Sequence, residues 1–173
     1  MKQTEKCQDI QLVVADVDGV LTDGGIIYDN QAIELKAFHI RDGLGIRLWH
    51  RAGGRFAIVT GRNSHIVEVR ATELGVQIIR QGVEEKLRVV HEIARELELE
   101  AEQIGYIGDD LPDLPAVRYA GFGVAVSDAC KELREAADYV TTLPGGRGAV
   151  RETIQTILEA QGRWNDLVKS YNG

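Results

Sequence analysis

The chain has 173 residues, with 20 Lys and Arg against 27 Asp and Glu, a formal charge of −7. That length makes a single domain over 1–173 the expectation, with a core that needs neither disulfides nor a structural metal. The acidic balance argues against nucleic acid as the main partner, and no segment approaches the roughly 18 apolar residues of a membrane span.

Short apolar runs alternate with amphipathic stretches along the chain. Residues 10–15 read as a buried strand that ends at Asp16. The segment 23–40 is rich in β-branched residues, with Asp29-Asn30 as a turn signal, and reads as a β-hairpin. Further strands are expected at 55–60, 76–79, 104–108 and 121–126, with Tyr139-Val140 as an edge. Between them, residues about 43–52, 64–74, 84–97, 113–120, 130–136 and 148–161 carry apolar side chains at three- and four-residue spacing, the mark of helices. The expected class is α/β: a doubly wound parallel sheet covered on both faces, with its active site at the carboxyl ends of the strands. The segment 145–148, Gly-Gly-Arg-Gly, reads equally as a turn leading into a helix and as part of a mobile C-terminal region near a neighbouring site. The tail at about 161–173, with Trp164 and Tyr171, is either disordered or a docking segment. The polar N-terminus, Met1 to Gln11, has no signal-peptide core, and Cys7 and Cys130 have no metal-ligand spacing. A cytoplasmic protein with two free thiols is expected.

Chemistry concentrates where strands end. Asp16 and Asp18 follow the first strand, and Gly19 allows a tight bend after them. Two neighbouring carboxylates repel, so burying them calls for a cation or a shared proton. Asp109, Asp110 and Asp113 follow a later strand, more acid than a helix N-terminus accounts for. Hard oxygen donors with no His or Cys nearby point to one shared Mg²⁺. Thr60, Gly61 and Arg62 end the second main strand, and Lys86 opens a helix. Alone, a Thr or a Lys at such a place is usually structural or solvated. Together they offer the hydroxyl, backbone N–H groups and point charge that a phosphoryl group requires.

In chain order, DVDGVLTD, VTGR, Lys86 and GDDLPD resemble the four motifs of the haloacid dehalogenase superfamily of aspartyl-phosphate phosphohydrolases. The runs DVDGVLTDGG, FHIRDGLGI, VTGRNS, YIGDDLPDLP and PGGRGAVRE span most of the chain and are similar to its phosphatases of 3-deoxy-D-manno-octulosonate 8-phosphate (KDO 8-phosphate). The resemblance extends to relatives that act on nine-carbon sugar-acid 9-phosphates. A phospho-acceptor receiver domain also uses Asp, Thr, Lys and Mg²⁺, but its motifs run in a different order.

The resemblance implies a capless fold with an inserted hairpin flap, and an Mg²⁺-dependent phosphomonoester hydrolase of sugar-acid phosphates. It implies Asp16 as nucleophile and Asp18 as general acid and base. It implies Mg²⁺ held by Asp16, the main-chain carbonyl of Asp18 and Asp109, with Asp110 or Asp113 behind them. Thr60, Gly61 and Lys86 would bind phosphate, and Arg62 the sugar carboxylate. It further implies a homotetramer associated through the hairpins. A catalytically silent oligomeric binding protein is the alternative of another class, but every catalytic position is intact.

Overall fold

Leu12-Val13-Val14-Ala15 has no polar side chain, and all four residues are buried, which suits a strand covered on both faces. In the computed structural model, which describes residues 3–171, this run is the central strand of a parallel sheet. Met1, Lys2, Asn172 and Gly173, the ends of the N-terminal stretch and of the tail, lie outside the described residues.

In chain order the elements are α1 (Gln3–Lys6), β1 (Leu12–Ala15), β2 (Ile27–Tyr28), β3 (Glu34–Leu35), α2 (Ile40–Arg51), β4 (Arg55–Val59), α3 (His65–Leu74) and β5 (Ile78–Arg80). They continue with α4 (Lys86–Glu96), β6 (Ile104–Gly108), α5 (Leu114–Tyr119), β7 (Phe122–Ala125), α6 (Lys131–Ala136), β8 (Tyr139–Val140), α7 (Ala149–Ala160) and α8 (Trp164–Lys169). The six-stranded sheet has the order β5-β4-β1-β6-β7-β8 and every pairing in it is parallel. Strand order reverses at β1, which pairs with β4 on one side and β6 on the other, so later strands are added to the opposite edge. That reversal is the topological switch point where such sheets open a crevice at their carboxyl edge.

The helices follow the apolar spacing. On α7, Val150, Thr153, Ile154, Ile157 and Leu158 are the buried stripe, at intervals of three and four. The strand expected at 76–79 starts later, at Ile78, because the Val76 N–H bonds to Ala71 O and closes α3 instead of joining β4.

The hairpin exists but is shorter than 23–40. Its ladder pairs only Ile27 with Leu35 and Tyr28 with Glu34, and Ile40 already belongs to α2. Asp29 shortens it: its Oδ1 accepts from the N–H groups of Gln31 and Ile33, each at 2.8 Å, so the chain wraps a five-residue loop around one carboxylate.

Of the two readings of segment 145–148, the structure has the turn into a helix, with Gly148 as the N-cap of α7. This turn is sewn to the loop after β1. The Gly146 N–H donates to Val20 O at 2.8 Å. A Cβ on Gly145 would lie 1.8 Å from Gly19 O, so only glycine fits there. Asp42 on α2, fully buried, accepts from the Gly148 N–H at 3.1 Å and the Arg151 N–H at 2.9 Å. The tail docks on its own chain. Trp164 and Leu167 pack against the core, the Arg151 guanidinium lies 4.7 Å over the Trp164 ring, and Arg51 donates to Tyr171 Oη at 3.1 Å. Cys7 and Cys130 are free thiols, and no helix among the described residues is long and apolar enough to cross a membrane.

Candidate active site

The carboxyl ends of β1, β4 and β6 and the first turn of α4 meet around an open cleft of about 510 Å³. Asp16, Asp18, Thr60, Gly61, Arg62, Lys86, Asp109, Asp110 and Asp113, distant in sequence, all line it.

The floor is a buried charge cluster. Asp16 leaves the end of β1 with its N–H bonded to Ile107 O, and its Oδ1 accepts from the Val17 N–H at 2.7 Å. Lys86, the first residue of α4 and also buried, donates from Nζ to Asp16 Oδ2 at 2.6 Å and to Asp113 Oδ1 at 2.7 Å. Asp113 Oδ1 also accepts from the Tyr106 hydroxyl at 2.7 Å, and its Oδ2 takes the N–H groups of Asp109 and Asp110 at 3.1 and 3.4 Å. The carboxylates of Asp16, Asp109 and Asp113 converge, one oxygen from each lying within 4.8 Å of the others.

Three acids thus face one ammonium. Burial, and then the charge of Asp113, pushes Asp16 up to about 6. Burial, Asp113 and Asp16 push Asp109 up to about 7. Burial opposes the charge of Lys86, but Asp113 and Asp16 outweigh it and raise its pKa. A cluster of hard oxygen donors with surplus negative charge fits a divalent cation of the Mg²⁺ type. Gly19 makes the convergence possible. Its φ is +86°, and a Cβ there would lie 2.0 Å from Asp109 Oδ2.

Asp110 and Asp113 look alike in the sequence but diverge in space. Asp110 Oδ1 accepts from the Leu111 N–H at 2.8 Å, capping a single 3₁₀ turn. That turn, Leu111–Asp113, swings Asp113 back beneath the cluster. Of the two, Asp113 is the one beside Asp16 and Asp109.

A second network lies at the rim, built by the hairpin. Glu34 accepts from Arg62 Nη2 at 2.7 Å and from Ser64 Oγ at 2.5 Å, and lies 3.3 Å from Lys36 Nζ. The Ser64 hydroxyl, then Arg62 and Lys36, hold its carboxyl down at about 2 against the opposing effect of burial. Lys36 Nζ also donates to Asp18 Oδ1, and Arg62 Nε lies 3.7 Å from Asp18 Oδ2. Arg62 is therefore at the rim and already paired with an acid, with a further donation to Tyr28 Oη at 3.1 Å. The other face of the ladder carries Ile27 and Leu35, each half exposed, and Ile26 and Ile33 are exposed beside them.

Four participants escape a reading of the sequence alone: Lys36, Glu34, Ser64 and Tyr106. Alternation puts Glu34 and Lys36 on one hairpin face, and Ser64 belongs to the VTGRNS run, but neither fact says what that face meets. Tyr106 reads as an apolar strand residue, and only its buried hydroxyl on Asp113 sets it apart.

Residues 69–150 match the haloacid dehalogenase-like hydrolase family. Over 157 residues the chain is 46% identical to the KDO 8-phosphate phosphatase of Yersinia pestis, covering 91% of this chain and 84% of that protein. The structure is similar to the Moraxella catarrhalis KDO 8-phosphate phosphatase, solved with magnesium ion, phosphate ion and KDO. The TM-score is 0.96 at 44% identity, over 98% of this chain and 97% of that one. It also resembles the cobalt-bound deoxy-D-mannose-octulosonate 8-phosphate phosphatase of Haemophilus influenzae, with a TM-score of 0.92 at 39% identity over 97% and 99% of the two chains.

Proposed function

The chain belongs to the KDO 8-phosphate phosphatase family of haloacid dehalogenase-like hydrolases and is a phosphoric monoester hydrolase, and from that premise we propose that it converts KDO 8-phosphate to KDO and phosphate through an aspartyl-phosphate on Asp16. The observation that carries this is the buried cluster, in which the Asp16 carboxylate is held between its own backbone and Lys86 at the end of the central strand.

In this reading an Asp16 oxygen attacks phosphorus, the bond from phosphorus to the sugar oxygen breaks, and Asp18 gives its proton to that oxygen. Water then attacks the phosphorus of the aspartyl-phosphate and returns a proton to Asp18. Phosphate leaves and the Asp16 carboxylate is restored. Thr60, the Gly61 N–H and Lys86 bind the phosphoryl oxygens that do not react. Asp16, the main-chain carbonyl of Asp18 and Asp109 would hold Mg²⁺, and of Asp110 and Asp113 it is Asp113 that supports them. When bound, the ion neutralises carboxylate and phosphate charge, bringing nucleophile and substrate together. Arg62 takes the sugar-acid carboxylate, which requires it to exchange Glu34 for the substrate.

The hairpin supports a homotetramer as the working form. Its polar face is spent on its own site while its apolar face is left in water, where each exposed Ile or Leu forfeits about 1.5–3 kcal/mol of possible burial. Sedimentation of an Ile26→Asp variant is expected to report dissociation with loss of sugar-phosphate turnover. A fully active monomeric wild type would refute the assembly. The same reading places the work in the cytoplasm, which suits two free thiols.

Phosphate release from KDO 8-phosphate, nine-carbon sugar-acid 9-phosphates and hexose phosphates tests the assignment. KDO 8-phosphate is expected to give the highest kcat/KM. Preference for a nine-carbon substrate would move the chain to that activity, and no turnover of any would favour the silent binding protein.

A further inference from the structure

Lys36 is out of place by the standard of its neighbours. Ala37 beside it and Leu35 before it are exposed, yet the Lys36 side chain is 1% exposed. A buried ammonium is costly unless it is paired. Here it donates to Asp18 Oδ1 and lies 3.3 Å from Glu34 Oε1.

Asp18 needs such a partner more than its neighbours do. Asp16 is held by the Val17 N–H and Asp113 by two backbone N–H groups. Among the described residues no backbone N–H bonds to the Asp18 carboxylate, which stands on a turn rather than a strand. Its other charged neighbour, Arg62 Nε, is 3.7 Å from Oδ2, beyond hydrogen-bond reach, and that guanidinium is committed to Glu34. The direction of the Asp18 carboxylate therefore rests on one hairpin cation, itself fixed by Glu34, which Ser64 and Arg62 anchor to the main fold.

We propose that Lys36 is a positioning residue of the reaction, holding Asp18 Oδ1 so that Oδ2 faces the leaving oxygen. The proposal rests on Asp18 acting as the acid in the first step. It makes the hairpin part of the chemistry, because the carboxylate is aimed only while the hairpin is docked.

The test separates aim from mere integrity of the fold. Single-turnover release of the leaving group is measured in the full-length protein with saturating Mg²⁺, using KDO 8-phosphate and p-nitrophenyl phosphate. The sugar alkoxide needs a proton to leave, whereas nitrophenolate leaves well without one. A displacement of about 1 Å at a reacting group costs on the order of 10²-fold, so Lys36→Met is expected to slow sugar release roughly 10–100-fold. Nitrophenolate release is expected to fall far less. Lys36→Arg, which keeps a cation at the position, is expected to recover most of the sugar rate. Asp18→Asn, run in parallel, is expected to share the leaving-group dependence of Lys36→Met. Equal losses on both substrates in Lys36→Met and Lys36→Arg, with Asp18→Asn still selective, would overturn the proposal and leave the acid role of Asp18 standing. Equal losses in Asp18→Asn would overturn that acid role, and the Lys36 assignment with it.

Discussion

The two charge networks of the cleft move their carboxyls in opposite directions. On the floor, Asp16, Asp109 and Asp113 surround one ammonium, and the carboxyls of Asp16 and Asp109 titrate high. At the rim, Lys36, Arg62 and the Ser64 hydroxyl surround Glu34, and its carboxyl titrates low. The floor has acid to spare and fits a cation, whereas the rim pairs two cations, Lys36 and Arg62, with two acids, Glu34 and Asp18.

The largest effect expected from breaking this arrangement is on the floor. Asp16→Asn removes the proposed nucleophile and is expected to lower steady-state phosphate release by on the order of 10⁴-fold or more. A rate within a few-fold of wild type would end the covalent mechanism. Lys86→Ala leaves the acids without their one cation and is expected to cost on the order of 10²–10³ in rate, read by the same assay. A near-normal rate would return Lys86 to a structural role.

The smallest effect, and the one that sharpens the comparison, is the pH dependence of thermal stability. Asp16 and Asp109 have folded pKa values of about 6 and about 7 against an ordinary 3.8. Between those values the folded protein binds more protons than the unfolded chain, so without a divalent cation stability falls as pH rises from about 4 to about 7. Glu34 has the reverse displacement, about 2 against 4.5. Its contribution is full above about pH 4.5 and is lost as pH falls towards about 2. Melting curves are expected to show a decline from about pH 5 to about pH 7.5 that saturating Mg²⁺ abolishes, with about 2–4 °C for each kcal/mol involved. Glu34→Gln is expected to flatten only the acid side. A decline on the basic side that Mg²⁺ does not touch would mean that the floor is not where the ion binds.

The floor is far more legible in the sequence than the rim, for a physical reason. Strand ends are marked by the switch from an apolar run to acid and glycine, and parallel topology then gathers those ends, so Asp16, Thr60 and Asp109 can be placed from the sequence alone. Lys36 and Glu34 belong to a two-residue ladder whose alternation defines faces but not their destinations. β-Branched composition extends the hairpin over 23–40, yet the Asp29 carboxylate replaces a tight turn with a loop. Asp110 and Asp113 are indistinguishable as letters, and only the 3₁₀ turn between them sends one into the cluster and the other to a cap. The tail is illegible for want of length. Six residues of α8 are too few to display a periodic face, and its docking depends on Arg151 meeting Trp164.

The stitch between the loop after β1 and the turn before α7 bears on the order in which this protein matures. The loop after Asp16 is closed by the Gly146 N–H, which arrives more than a hundred residues later in synthesis. Contacts of such sequence separation form late, after the loop entropy between them has been overcome. A chain still on the ribosome can carry the whole motif set, Asp16 through Asp113, and still lack the clasp that holds its first loop in shape. Chains halted before residue 144 are expected to take up no phosphoryl group, so competence is expected to appear only once the Gly145-Gly146 turn has been made rather than to grow with length.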